Sequence, residues 1–227
     1  MTVKIKYLGH SCFIISNEKF SIILDPFMSG NPLCSVNPKD IKVDDILLTH
    51  AHSDHTGDAP TISKHSGAKI SAIFELANYF TNKGLSTQGV NIGGKVNFEW
   101  GSAVWLPASH SSTCADGTNG GVASSILINI DGGKIYHAGD TGLHYDMKMI
   151  GEMYSPDVCL LPIGGFYTMG VEEAVKATEW LNTKVVIPMH YNTFPPIVAD
   201  DKKFKHLVEL NTPAKCVILK SDETYEI

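Results

Sequence analysis

The feature that most constrains this sequence is a run of three histidines and one aspartate within six residues, His50-Ala51-His52-Ser53-Asp54-His55. The run follows the apolar residues 46–48, with only Thr49 between them, and these apolar residues predict a short buried strand. In extended backbone, His50 and His52 project to the same side and can hold one metal ion. Asp54 and His55 follow at the bend into the next helix and can face a second ion. Imidazole with carboxylate suits zinc, and manganese and iron are also compatible.

Two divalent ions need further ligands from elsewhere in the chain. Three more candidates each follow an apolar strand pattern: His110 follows residues 103–109, Asp140 follows 135–139 and His190 follows 185–189. A polar side chain at the end of a strand is held by a rigid scaffold. We therefore expect His110, Asp140 and His190 to complete the metal site.

The rest of the chain is rich in predicted strands, with helices between them. Strands are predicted at 3–8, 12–16, 20–24, 44–49, 69–74, 90–92, 95–99, 103–108, 122–130, 134–138, 157–161, 184–188 and 215–219. Helices are predicted at 58–66, 75–83, 145–153, 171–181 and 201–210. The tripeptide Asp131-Gly132-Gly133 indicates a tight hairpin. Without a linker or repeat, residues 1–227 are predicted to form one domain of two mixed β-sheets packed together, with helices outside.

Composition limits the partners of the protein. All 18 basic residues are lysines, and the formal net charge is -6. Arginine is the side chain best suited to phosphates and guanine edges, so its absence argues against nucleic acid. No apolar run approaches the length of a membrane helix, and five scattered cysteines without a CxxC pair suit a reducing compartment. We expect a cytoplasmic protein with a small-molecule substrate, and we leave assembly into a homo-oligomer open.

Four segments of the chain together resemble the metallo-β-lactamase superfamily: residues 49–55, 109–111, 139–141 and 189–191. The chain is also similar to one branch of that superfamily. This branch comprises compact, uncharacterised metal-dependent hydrolases related to ascorbate-6-phosphate lactonase. The branch features are residues 7–11, 24–27, 137–143 and 162–165.

The resemblance implies a fold and a ligand set. The implied fold is a four-layer αββα sandwich with the site at the edges of the sheets. By this resemblance, one ion would be held by His50, His52 and His110. The other ion would be held by Asp54, His55 and His190. Asp140 would bridge both ions.

A dinuclear site of this kind predicts a hydrolase. A metal-bridging hydroxide would attack a carbonyl or phosphoryl centre of a small ester, lactone or phosphorylated metabolite. Asp140 would fix the separation of the ions, and Asp54 would orient the nucleophile and shuttle its proton. Two alternatives stay open: a phosphodiesterase or nuclease, and a non-catalytic metal-binding protein on the same scaffold.

Five further residues are candidates for supporting roles. His10 is either a buried packing residue or a catalytic group at the rim of the site, where it would bind substrate or help proton transfer. Asp25 is expected to orient a ligand histidine by hydrogen bonding. His137 either packs in the core or lines the site. The glycine-rich loop that contains Tyr167 either is a turn only or forms a pocket wall to which Tyr167 adds an aromatic ring. Tyr191 is a candidate oxyanion donor.

Overall fold

The apolar segments at the start of the chain build the first of two β-sheets. The computed structural model describes residues 2–227. The strands of the first sheet are β1 (Lys4–Tyr7), β2 (Phe13–Ser16), β3 (Ser21–Leu24), β4 (Asp45–Leu47), β5 (Lys69–Ile73), β6 (Thr87–Val90) and β14 (Thr224–Glu226). Their order in space is β14-β1-β2-β3-β4-β5-β6. Pairing is antiparallel from β14 to β3 and parallel from β3 to β6, so the sheet is mixed.

The second sheet has the same kind of pairing. Its strands are β7 (Lys95–Phe98), β8 (Gly101–Pro107), β9 (Ser124–Ile130), β10 (Gly133–His137), β11 (Val158–Pro162), β12 (Val185–Met189) and β13 (Lys215–Cys216). They lie in sequence order, antiparallel from β7 to β10 and parallel from β10 to β13. The predicted hairpin joins β9 to β10. Its residues Asp131 and Gly132 have positive φ angles of 49° and 83°, as a two-residue primed turn requires.

Helices cover the outer faces of both sheets. They are α1 (Ser53–Thr56), α2 (Ala59–Ser66), α3 (Phe74–Thr81), α4 (Asp146–Tyr154), α5 (Val171–Leu181) and α6 (Asp201–Asn211). Two short 3-10 helices lie at Pro38–Asp40 and Pro195–Ile197. Helices α2 and α3 pack on the first sheet, and α5 and α6 pack on the second. The architecture is therefore the predicted four-layer αββα sandwich.

The core follows from the alternation of side chains along a strand. Ile22 and Leu24 of β3 belong to the apolar cluster that also contains the second sheet, whereas Ile23 between them belongs to the cluster under α2 and α3. Each fully buried side chain of this size stabilises the fold by roughly 1.5–3 kcal/mol. Trp105 of β8 is fully buried and donates a hydrogen bond from Nε1 to the carbonyl oxygen of Leu48, at 3.2 Å. This bond ties the end of β4 to the second sheet.

Some boundaries differ from the predicted ones. Strand β6 begins and ends earlier than predicted, β13 has two residues only, and β14 was not predicted at all. Helix α3 ends at Thr81, two residues before the predicted end, and a turn carries the chain to Gly84 at φ +76°. Helices α5 and α6 have 11 residues each, and among residues 2–227 no helix has the length and apolarity needed to cross a bilayer.

Candidate metal centre

Four strands deliver the candidate ligands to one edge of the sandwich. Strand β4 of the first sheet ends just before His50. In the second sheet, β8 is followed by His110, β10 by Asp140 and β12 by His190. Asp54 and His55 lie inside α1, with His52 as the residue before the helix. All seven predicted ligands are therefore brought to one place.

Gly139 is what lets Asp140 come so close to the first sheet. Its φ angle is +60°, and a Cβ atom there would lie 2.8 Å from Cβ of Thr49 and 2.9 Å from the carbonyl oxygen of Ser124. Any other residue would have to displace these atoms. The glycine thus sets the approach of β10 to the end of β4.

One group of ligand atoms forms what we name the three-histidine cluster: His50, His52 and His110. Their ligand atoms and one carboxylate oxygen of Asp140 all lie within 4.8 Å of one another. Nε2 of His50 is 3.0 Å from Nδ1 of His52, and Nε2 of His110 is 3.5 Å from Oδ2 of Asp140. The spacing suits one metal ion held mainly by imidazole.

A second group forms what we name the mixed cluster: Asp54, His55 and His190. Their ligand atoms lie within 4.8 Å of one another and of His10. Asp140 reaches this group as well. Its Oδ1 is 3.1 Å from Nε2 of His55, and its Oδ2 is 3.0 Å from Nε2 of His190. The Asp140 carboxylate therefore lies between the two clusters.

The buried atoms of the mixed cluster lack ordinary partners. Within residues 2–227, Nε2 of His55, Oδ1 of Asp140 and both ring nitrogens of His190 have no hydrogen-bond partner. His55 and Asp140 approach to 3.1 Å without hydrogen-bond geometry. Buried polar atoms are almost always paired, so such a group of orphans calls for a bound ion. The donor set of imidazoles and carboxylates fits a divalent metal.

Asp25 fixes the orientation of two candidate ligands. Its Oδ2 accepts a hydrogen bond from Nδ1 of His55 at 2.8 Å and one from Oγ1 of Thr49 at 2.6 Å. Because the single Thr49 proton goes to Asp25, its oxygen accepts from Nδ1 of His50, 3.0 Å away. Both histidines thus carry a proton on Nδ1 and direct Nε2 to the site, where it can bind a metal once any proton on it has been released. Asp25 is thus hydrogen-bonded to His55, one of the candidate ligand histidines that it was expected to orient.

His10 does not lie at the rim of the site, because its side chain is 0% exposed. It is packed against His190 at 4.0 Å between ring centroids. Burial lowers the pKa of His10 to about 4, so the ring is neutral. Its Nε2 then donates to Oδ2 of Asp54 at 3.1 Å, and its Nδ1 accepts from Oγ1 of Thr193 at 2.9 Å. His10 therefore holds a ligand in place from behind the pocket wall.

Two other candidates lie away from the pocket, and a third lines it. His137 is fully buried, and its ring bonds the carbonyl oxygen of Ser11 at 2.9 Å and the amide of Gly139 at 3.0 Å. It therefore supports the backbone before Asp140 instead of lining the site. Tyr191 is 7% exposed and donates its hydroxyl hydrogen bond to Asp201 at 3.2 Å, so it does not face the pocket as an oxyanion donor. Tyr167 does line the pocket.

The two clusters differ in charge. Burial lowers the pKa of His50 well below its ordinary value and also lowers the pKa values of His52 and His110. Burial alone would do the same to His190, but the carboxylates of Asp140 and Asp54 outweigh it and raise its pKa to about 9.

His55 behaves like His190. Burial opposes its protonation, but Asp140, Asp25 and Asp54 raise the pKa of His55 well above its ordinary value. Burial in turn would raise the pKa values of Asp54 and Asp140, and the neighbouring histidines, His55 first among them, lower both. Without metal, the mixed cluster is a set of ion pairs, whereas the three-histidine cluster is neutral.

A pocket of about 740 Å³ opens over both clusters. Its floor is formed by residues of the two clusters, and its walls include Phe27, Tyr167 and Phe194. Asp54 is partly exposed in this pocket, with 30% of its side chain accessible. Its carboxylate can therefore meet both a bound ion and a substrate or water.

Comparison with known proteins identifies the family. The model of a family described as the beta-lactamase superfamily domain matches residues 4–190, most of the chain. This chain belongs to the beta-lactamase superfamily. The resemblance to this superfamily, inferred from the sequence motifs, is thereby confirmed.

Several relatives of this superfamily member match along almost their whole length. A UPF0173 metal-dependent hydrolase from Staphylothermus marinus is 50% identical over 229 residues, covering 97% of each chain. One from Pyrococcus furiosus is 50% identical over 230 residues, covering 99% of this chain and 100% of its own. The solved structure of Igni18, a metallo hydrolase from Ignicoccus hospitalis, superposes with a TM-score of 0.92 at 43% identity, covering 100% of this chain and 99% of its own.

Four residues at the site of this superfamily member were missed by sequence reasoning: Thr49, Thr193, Phe27 and Phe194. Thr49 directly precedes His50, and a hydroxyl beside a ligand could have been singled out. Phe194 and Thr193 reach the site because the chain turns back after β12, with positive φ at His190 (52°) and at Asn192 (57°). No pattern of spacing in the sequence signals that turn.

Proposed function

We propose that the protein is a metal-dependent hydrolase that binds two divalent metal ions, and that these ions are zinc. The observation that carries this proposal is the position of Asp140. Its two oxygens lie within 3.5 Å of ligand nitrogens of both clusters, namely His110 on one side and His55 and His190 on the other. A carboxylate shared in this way is the natural bridge of a two-ion site.

The ligand assignment follows the two clusters. The three-histidine cluster would hold one ion, the mixed cluster would hold the other, and Asp140 would contact both. Two ions at this site would supply a hydroxide nucleophile at neutral pH and would polarise the oxygen of a substrate. Asp25 and Thr49 accept the Nδ1 hydrogen bonds of His55 and of His50, so that Nε2 of each ring is directed to the site.

Asp54 is the residue that we assign to proton transfer. Its carboxylate is in the pocket, and its Oδ2 accepts the hydrogen bond of His10. That bond fixes one oxygen and leaves the other oxygen to orient a water molecule and to take its proton. His10 acts through Asp54, since its own ring is fully buried. We therefore propose His10 as a positioning residue.

The substrate class follows from the size of the pocket and from the chemistry of the site. A cavity of about 740 Å³ suits a small molecule. We propose hydrolysis of a small ester, lactone or phosphorylated metabolite, by attack at its carbonyl or phosphoryl centre. The remaining atoms of such a substrate would be in contact with Phe27, Tyr167 and Phe194.

Metal content tests the proposal most directly. Wild type, His110→Ala, His55→Ala and the control His206→Ala, an exposed position on α6, are reconstituted with zinc and analysed by elemental mass spectrometry. We expect about two ions per chain in wild type and in the control, and about one in each ligand variant. Hydrolysis of 4-nitrophenyl acetate should require the metal. A wild type that takes up one ion only would overturn the two-ion assignment.

A further inference from the structure

Apart from the histidines of the two clusters, the charged side chains that line the pocket within residues 2–227 are all carboxylates. Among the described residues 2–227, those that line the pocket include Asp54, Asp58 and Asp140 but no lysine, and the chain has no arginine. An anionic group on the part of a substrate away from the metal ions would find no side-chain cation there. It would also meet the carboxylate of Asp58.

Asp58 also occupies the backbone amides that could have bound a phosphate. The Asp58 side chain is nearly buried, and its Oδ2 accepts hydrogen bonds from the amides of Met28 and Ser29, both at 2.7 Å. Its Oδ1 accepts a third from Oγ of Ser29, at 2.7 Å. Amide pairs of this kind are a common anion-binding device. Here they are used by a carboxylate of the protein itself, so this side of the pocket does not suit phosphate.

Aromatic rings form the wall beside this acidic region. Phe27 and Phe194 are both half-buried, with ring centroids 6.2 Å apart and planes at 40°. Each ring packs edge-on against His10, at 5.5 Å and 5.6 Å between centroids. His10 is itself hydrogen-bonded to Asp54 and to Thr193, so the ring against which Phe27 and Phe194 pack is fixed in position. An apolar aromatic surface is thus available before any substrate binds.

We infer that the pocket selects an uncharged substrate with a flat apolar group, which packs on Phe27 and Phe194 while the reacting carbonyl faces the two clusters. This inference rests on the proposed hydrolase function, and it narrows that function to neutral esters and lactones. Tyr167, 54% exposed at the pocket mouth, adds a third ring to the wall. An apolar group placed in such a pocket changes kcat/KM by roughly 10–200-fold.

A matched series of esters tests the selection. The zinc-loaded protein is assayed with the acetate, benzoate and hemisuccinate esters of 4-nitrophenol, and each kcat/KM is divided by the rate constant for spontaneous hydrolysis by hydroxide. We expect the benzoate to exceed the acetate by about 10-fold or more, and the hemisuccinate, which is anionic, to fall below the acetate. In Phe194→Ala, the ratio of benzoate to acetate should fall several-fold. A hemisuccinate value equal to or above the benzoate value overturns the inference.

Binding of a neutral fluorescent probe separates this inference from the proposed function. N-phenyl-1-naphthylamine should bind the zinc-loaded wild type, with weaker binding to Phe194→Ala. The control Phe74→Ala, an exposed ring outside the pocket, should bind it like wild type. Probe binding that depends on Phe194, without hydrolysis of any ester, would contradict the hydrolase proposal and would support the inference that the pocket binds uncharged apolar groups. Ester hydrolysis without a preference for the ring would support the hydrolase and overturn the inference. Absence of both probe binding and hydrolysis would overturn both.

Discussion

The three-histidine cluster and the mixed cluster each hold several polar groups close together in a buried place when no metal is bound, and they do so in different ways. In the three-histidine cluster, burial lowers the pKa values of His50, His52 and His110, so these groups are neutral and do not repel one another. In the mixed cluster, protonated His55 and His190 balance the charges of Asp54 and Asp140. The first cluster is therefore ready to accept an ion, whereas the second must first release protons.

The largest effect is expected where the two clusters meet. Asp140→Ala removes the carboxylate shared by both, so we expect uptake of fewer than one ion per chain and a loss of ester turnover of about 10³-fold or more. Metal content and kcat/KM are measured on the same sample. The control is Asp146→Ala at the half-exposed first residue of α4. Near-normal metal content in Asp140→Ala would show that the clusters bind their ions independently.

A smaller effect is expected at Asp25, and this effect on zinc affinity should differ between the two clusters. Asp25→Asn weakens the anchor of His55, and we expect zinc affinity at the mixed cluster to fall about 10–100-fold. The three-histidine cluster should change less, because His50 is reached only through Thr49. Competition with a chelator gives the two successive dissociation constants. Equal weakening of both steps would contradict the separation.

In Thr49→Val, by contrast, both clusters should weaken. The missing hydroxyl is the acceptor for Nδ1 of His50 and a donor to Asp25, which in turn holds His55. The valine side chain is nearly isosteric, so the comparison with Asp25→Asn isolates the hydrogen bonds. Weakening of the mixed cluster alone would show that Thr49 does not orient His50.

The pH dependence of zinc affinity should also differ between the two clusters. The pKa of His190 is raised to about 9, so at pH 7 the metal-free side chain holds a proton that an ion must displace. Because the pKa of His55 is raised as well, zinc affinity of the mixed cluster should rise about tenfold per pH unit for each proton displaced, which makes the rise from pH 7 toward pH 9 steeper than tenfold per unit. The lowered pKa values of the three-histidine cluster predict a flat profile above pH 7.

Variants that retain one cluster make this measurement possible. His110→Ala keeps the mixed cluster, and His55→Ala keeps the three-histidine cluster. Calorimetry in buffers of different ionisation enthalpy counts the protons released on zinc binding. Equal proton release by the two variants at pH 7 would contradict the charge difference between the clusters.

The smallest effect is expected at His10. His10→Gln removes the imidazole behind Asp54 but no predicted ligand, so zinc content should stay at the wild-type level while kcat falls by up to about 10-fold. The matched control is His65→Gln, a position outside the pocket. Because a structural role alone would lower stability and leave kcat per folded molecule unchanged, the folded fraction is measured in parallel. Loss of one ion in His10→Gln would make His10 a ligand of the mixed cluster.

The sequence predicted the parts of the site that depend on local pattern. Each of His50, His110, Asp140 and His190 follows an apolar strand, and strand ends were enough to bring them together. The position of His10 was not predictable, because its partner Thr193 is 183 residues away in the chain. A rim position and a buried position have the same sequence pattern at the end of β1. Packing against the loop after β12 decided between them.

In the fold, too, the elements set by local pattern were predictable, and those set by contacts between distant residues were not. Strands and helices with a clear apolar period were predicted to within a few residues, including the hairpin at Asp131-Gly132. Strand β14 was missed because its three residues, Thr-Tyr-Glu, have a single apolar-bodied side chain and form a strand only by pairing with β1. The pKa differences between the clusters were also beyond the sequence, because burial and neighbouring charges set them.

The pairing of β14 with β1 has a consequence for synthesis of the chain. The second sheet is assembled in sequence order, but β1 of the first sheet waits for residues 224–226 before its outer edge is covered. Until residues 224–226 are made, that edge of β1 has unpaired amides and carbonyls, although all seven candidate ligands, the last of them His190, are already part of the chain. An open edge of this kind invites pairing with a neighbouring chain. We therefore expect the growing polypeptide to be open to self-association at β1 in the interval between His190 and β14.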